Sequence, residues 1–201
     1  MLKIAVLGST AGTDLQAIID ALKTDELSAV ELSVVIANKK DAYILERAKK
    51  AGFETICIPS EGKERQEHER EVLEILDKYS VDLVLLIGYM RVITPLFIDK
   101  YKNRVMNIHP SLLPAFAGGM DKNVHEEVLK SGSKVTGCTL HFVDEGIDTG
   151  QIIAQKEVPV EESDTVDSLK TKVQNAEQEV ILQAIKDFRD GKLKFPMPKS
   201  Q

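Results

Sequence analysis

In the stretch RVMNIHPSLLPAF, Asn107 and His109 stand at the end of an apolar run, just ahead of Pro110. A strand alternates its side chains, so positions 107 and 109 would face the same side and converge on one small atom. Pro110 removes a ladder donor and stiffens the exit, and Pro114 rigidifies the loop beyond. Two polar groups held still suit acyl transfer, in which a carbonyl oxygen becomes an oxyanion. The same pair could instead cap the strand end by bonding loop carbonyls. Asp148, in DEGIDTG, is the third group of interest. Placed beside His109 it would favour the imidazolium, moving a base of pKa about 6.5 toward an acid. A hairpin loop can equally be acidic because it is solvated.

Other chemistry is less well supported. GSTAGTDLQAI is a small-residue turn into a helix, where exposed amides and the helix dipole favour an anion. Neither GxGxxG nor GxxxxGK[ST] is present, so no dinucleotide or nucleoside triphosphate is specified. Gly8 and Gly12 could simply allow a tight connection, and Asp14 would repel a phosphate held by the same amides. VHEEVL lacks the second histidine of a zinc-binding HExxH, and no GxSxG elbow occurs, so a metal centre and a covalent acyl-enzyme are both disfavoured. Cys57 and Cys138 show no ligand or redox spacing. His68, in RQEHERE, reads as solvent-facing, and His141 as a satisfied sheet residue.

The elements that must position these groups are legible. Continuous apolar runs (KIAVLGS, ELSVVIAN, ETICIP, DLVLLIG, RVMNIHP) alternate with amphipathic stretches (DLQAIIDALK, AYILERAKKAG, REVLEILDKYS, PLFIDKY). Fully apolar strands between helices imply a parallel sheet covered on both faces, a doubly wound, Rossmann-like α/β fold. Ligands in such sheets bind at the carboxyl ends of the strands, which is where His109 falls. After a helix around VHEEVLKSG, the runs KVTGCTLHFV and QIIAQKEVPV predict an antiparallel hairpin with DEGIDTG as its loop. A long amphipathic helix ends at Gly191. One domain over 1–201 is expected: a Rossmann-like half over 1–110, the hairpin and last helix over 111–191, and a tail over 192–201. At 43% apolar and 29% charged residues the chain can fold alone, and a formal net charge of −6 argues against nucleic acid as a main partner. No window approaches the roughly 18 apolar residues of a membrane span, and MLKIAVLG lacks the length of a secretory signal, so a reduced, cytoplasmic protein is expected.

Together GSTAGTDLQAI, GYMRVITP, NIHPSLLPAF and HFVDEGIDTG, in this order, resemble the folate-dependent formyltransferases, with the branch that formylates glycinamide ribonucleotide the nearest match. The resemblance implies 10-formyltetrahydrofolate as co-substrate, no metal, small-molecule partners only, and a monomer or homodimer. It implies Asn107, His109 and Asp148 as catalytic, with the aspartate raising the pKa of the histidine. It implies folate contacts at Arg65, Met90, Arg91, Val92, Ile93 and Asn107 and along Asp144, Glu145, Gly146, Ile147 and Asp148. Leu86, Tyr89 and Val143 would help line the pterin slot. Acceptor contacts are implied at Gly12, Thr13, Asp14, Gln174, Asn175, Ala176 and Glu177. The chain departs from the family at Thr10, usually glycine, at Asp14, usually asparagine, at Asn123, often histidine, at Gln151, often proline, and in a longer 115–125 segment. Alternatives are a formyltransferase acting on another amine, such as an amino-sugar nucleotide, a formyl-tetrahydrofolate hydrolase, or a non-catalytic nucleotide or folate sensor. Absence of an extra carboxyl-terminal domain or an amino-terminal regulatory module is expected to count against the first two.

Overall fold

A computed structural model describes residues 1–118, 121–193 and 195, with 121–123 described as backbone only. The Asn123 departure therefore lies outside the described side chains. Five parallel strands, β1 (Leu2–Gly8), β2 (Val30–Ala37), β3 (Thr55–Cys57), β4 (Leu83–Ile87) and β5 (Val105–His109), are followed by β6 (Val135–Phe142) and β7 (Ile152–Pro159). They form one seven-stranded sheet in the order β3-β2-β1-β4-β5-β6-β7. β6 runs antiparallel to both β5 and β7. The doubly wound sheet with its antiparallel hairpin is the architecture the apolar runs predict.

Alternation within the strands explains the layers. In β1, Ile4 and Val6 point to one face and Ala5 and Leu7 to the other, all fully buried. Ile4 and Val6 pack in a core that includes Leu15, Ile18 and Ile19 of α1 (Thr13–Lys23) and Val173, Ile181 and Ile185 of α6 (Val166–Arg189). The opposite face packs on Val72 and Leu76 of α3 (Arg65–Lys78) and Phe97 of α4 (Pro95–Lys100). Each such side chain contributes about 1.5–3 kcal/mol on burial, so this two-sided core is the main force fixing the strand ends. α2 (Tyr43–Lys50) braces the first turn of the fold from outside, with Ile44 N–H donating to the Thr10 carbonyl at 3.0 Å and Arg47 Nε to that of Ala11 at 3.2 Å. α5 (Asp121–Ser131) buries Val124 and Val128 against Leu169 of α6.

One expectation fails here. His68 is completely buried, not solvent-facing. It lies four and eight residues before Val72 and Leu76 and so shares the inward stripe of α3, where its Nε2 donates to the Ile58 carbonyl at 2.8 Å. The flanking charges hid that periodicity. Burial pushes its pKa down, outweighing the hydrogen bond to Ile58 that raises it.

Candidate active site

Strand order reverses between β1 and β4, which diverge toward β2 and β5, and the crevice at their carboxyl ends is where a doubly wound sheet binds ligands. A cavity of about 310 Å³ opens there. One of its walls is the turn after β1. Gly12 takes φ 65° and caps α1 without a side-chain hydrogen bond. A Cβ at that position would lie 2.3 Å from Ile44, so glycine answers both the backbone angle and the close approach of α2. Thr13 and Asp14 line the cavity beside Gln174 and Glu177 of α6, and Gln174 Nε2 reaches Thr13 Oγ1 at 3.5 Å. Asp14 and Glu177 are each 6% exposed. The block 174–177 delivers only its first and last residues. Positions three apart share a helix face, whereas Asn175 turns to solvent and Ala176 into the core. Lys170, one turn earlier on that face, also lines the cavity, although nothing in its local sequence marks it.

The opposite wall is the segment after β4, where Met90, Arg91, Val92 and Ile93 line the cavity together with Leu86 and Tyr89. Asp144, Gly146, Ile147 and Asp148 of the β6–β7 loop, with Val143 before them, close it. Glu145 and Arg65 are exposed and outside this lining; Arg65 opens α3 at the surface.

Between the walls, β5 presents Asn107 and His109 on one side, as its alternation requires. Asp148 reaches both. Its Oδ2 stands 3.3 Å from His109 Nδ1 and accepts the Gly118 N–H at 2.9 Å, while its Oδ1 accepts from Asn107 Nδ2 at 3.4 Å. The loop can bring the carboxylate here because Asp148 adopts φ 55°, a left-handed conformation that aspartate tolerates better than most residues. Gly150 then passes against β6 so closely that a Cβ would sit 1.6 Å from the Phe142 carbonyl oxygen.

A fourth side chain completes the cluster. His141, on β6 directly opposite Asn107, is 2% exposed. Its Nδ1 donates to the Phe142 carbonyl at 2.8 Å, which leaves Nε2 of the neutral ring to accept from Asn107 Nδ2 at 3.1 Å. A protonated His141 would instead point an N–H toward Asp148 Oδ1, 3.5 Å away. The satisfied-sheet reading of His141 holds for one nitrogen and misses the other. The available signal was register: antiparallel pairing places residue 141 across from 107 once β6 is known to pair with β5.

Electrostatically the cluster differs from expectation in one respect. Burial lowers the pKa of His109, and the opposing pull of Asp148 and of the Phe116 carbonyl does not overcome it. The net direction is down. Both ring nitrogens nevertheless face oxygens, Nε2 the Phe116 carbonyl at 3.1 Å and Nδ1 the carboxylate of Asp148. Only the imidazolium could donate to both, so the geometry favours the proton that burial opposes. Asp148 behaves oppositely. Burial pushes its pKa up, but a hydrogen bond from the His141 ring when its Nε2 carries a proton, the Gly118 N–H and nearby His109 together bring it below the ordinary carboxylate value. Among the described residues no three histidine, cysteine, aspartate or glutamate side chains gather to hold a metal ion.

This constellation, two polar side chains and a carboxylate at a switch-point crevice, suits acyl-group transfer without a covalent enzyme intermediate. The formyl transferase family profile matches residues 2–185, and the chain belongs to that family. Phosphoribosylglycinamide formyltransferase of Escherichia coli (strain K12) is 40% identical over 195 residues, 96% of this chain and 90% of that protein. Glycinamide ribonucleotide transformylase 1 from Symbiobacterium toebii superposes with a TM-score of 0.91 at 41% identity, over 98% of this chain and 91% of that one. The trifunctional purine biosynthetic protein adenosine-3 of Bos taurus is 40% identical over 194 residues, but the chain spans only 19% of its length. No helix among the described residues is long and apolar enough to cross a membrane.

Proposed function

We propose that the chain transfers the formyl group of 10-formyltetrahydrofolate to the primary amine of glycinamide ribonucleotide, as a cytoplasmic enzyme of purine biosynthesis. The observation that carries this reading is the meeting of Asn107, His109 and Asp148 between the two walls of one cavity. In it the folate occupies the wall of residues 88–93 and the 144–148 loop, and the ribonucleotide occupies the turn of Gly12–Asp14 with Gln174 and Glu177. The formyl carbon then lies beside β5.

The amine attacks that carbon, a C–N bond forms, and the carbonyl oxygen becomes an oxyanion. Asn107 exchanges its long 3.4 Å bond to Asp148 for this oxygen while keeping its hold on His141. His109 becomes an imidazolium by receiving the proton that the attacking amine gives up, because the negative charge of the oxyanion favours the cation that burial opposes. Asp148, ionised at neutral pH, orders a water that carries this proton from the amine to His109 and, remaining a carboxylate, stabilises the resulting cation. Collapse breaks the bond to the folate nitrogen, to which the His109 imidazolium returns the proton, and releases tetrahydrofolate. Each donor to the oxyanion is worth about 3 kcal/mol of barrier. In the test, purified protein with 10-formyltetrahydrofolate is followed for tetrahydrofolate release with and without glycinamide ribonucleotide. Turnover that requires the amine supports the proposal; equal turnover without it identifies a hydrolase, and none in either case overturns formyl transfer.

A further inference from the structure

Ser9 belongs by position to the acceptor turn, yet its side chain serves the other wall. It is 5% exposed and does not line the cavity, whose lining on this turn begins at Thr10. Its hydroxyl donates to Asn38 Oδ1 at 2.6 Å and accepts the N–H of Met90 at 2.8 Å. Its own N–H donates to the Gly88 carbonyl at 3.0 Å. One residue thus grips the segment after β4 at two points two residues apart. Gly88 adopts φ 58°, and a Cβ there would fall 2.4 Å from Thr10 Oγ1, so the two walls touch with no slack. The grip extends outward, because Asn38 Nδ2 donates to Ser60 Oγ at 3.2 Å and Arg91 Nη1 to the Ser60 carbonyl at 3.4 Å.

We infer that Ser9 is a positioning residue for the folate wall: it acts through Met90 to set residues 88–91 against the donor, although it sits in the acceptor's turn. The inference rests on the proposed division of the cavity between the two substrates. A purely structural hydroxyl would satisfy the same buried groups, but its loss would then weaken both substrates together or neither. A positioning hydroxyl predicts a cross effect, in which a change in the acceptor's turn is felt by the folate.

The test is Ser9→Ala, with Asn38→Ala as a second variant that keeps the Met90 contact but removes the group orienting the hydroxyl. For each, the KM for 10-formyltetrahydrofolate and the Kd for tetrahydrofolate are measured beside the Kd for glycinamide ribonucleotide and the melting temperature. Ser9→Ala is expected to raise both folate constants by about tenfold, the loss of one hydrogen bond of about 1.4 kcal/mol, and to leave the ribonucleotide Kd within about twofold. Asn38→Ala is expected to shift the folate constants in the same direction by less. Should wild-type protein bind both ligands while the variants bind folate as well as it does, or lose both ligands in step with melting temperature, the inference falls alone. Wild-type protein that binds neither ligand overturns the proposed function and this inference with it.

Discussion

Replacing Asp148 with asparagine removes a charge while keeping the shape and an oxygen that can still accept the Gly118 N–H. The carboxylate lies 3.3 Å from His109 Nδ1, and its side chain is 12% exposed. At an effective dielectric of about 20, two unit charges at that distance attract by about 5 kcal/mol, which bounds what the carboxylate contributes once the imidazolium forms. Water filling the site and the retained amide dipole recover part of it, so kcat is expected to fall by about 10³, within the usual range for an acid–base group. The pH dependence carries the sharper test. Asp148 pulls the His109 pKa up against burial, so its neutralisation lets that pKa fall further, and the limb of the rate profile set by His109 moves to lower pH. The assay is steady-state release of tetrahydrofolate between about pH 5 and 9, with melting temperature as the control for folding. A variant that keeps near wild-type kcat and an unchanged profile would refute the roles given to both residues.

Three further outcomes are expected from the same geometry. His141→Leu removes the acceptor that orients Asn107 and should lower kcat by about tenfold, one hydrogen bond of about 1.4 kcal/mol, with the folate KM within about threefold; steady-state kinetics checks it. His68→Leu should flatten the pH dependence of stability: the unfolded ring takes a proton near pH 6.5 and the buried ring only lower, so wild-type stability rises with pH across that window and the variant's rises less, as urea midpoints between about pH 5 and 7 would record. Gly150→Ala drives a Cβ into the Phe142 carbonyl oxygen, and a loss of about 3 kcal/mol in urea denaturation is expected, together with reduced kcat, because the same loop carries Asp148.

What the sequence reveals and what it hides divide along a physical line. Side chains placed by local periodicity were legible: the apolar runs of β1, β2, β4 and β5 and the shared face of Asn107 and His109 need only the two-residue repeat of a strand. Side chains placed by what another segment does were not. His141 enters the cluster through the pairing of β6 with β5, and Lys170 reaches the cavity through the packing of α6 on α1, neither of which leaves a mark in its own neighbourhood. His68 shows the same limit from the other direction, since six charged or polar neighbours spoke for solvent while its spacing to Val72 and Leu76 spoke for the core.

The reversed balance at His109 is the most consequential case. A motif can place a carboxylate beside an imidazole, but whether the carboxylate wins depends on how much water the fold excludes from both. Here the Phe116–Gly118 stretch folds back over the strand end, with His109 only 4% exposed, and desolvation outweighs the charge. That arrangement serves the proposed reaction better than a permanent imidazolium would. A ring already charged when substrate arrives stabilises the ground state along with the transition state, whereas one that gains its proton as the oxyanion forms strengthens its hold only in the transition state. Catalysis comes from that difference, so in the proposed reaction the burial that disfavours the cation works together with the aspartate that favours it.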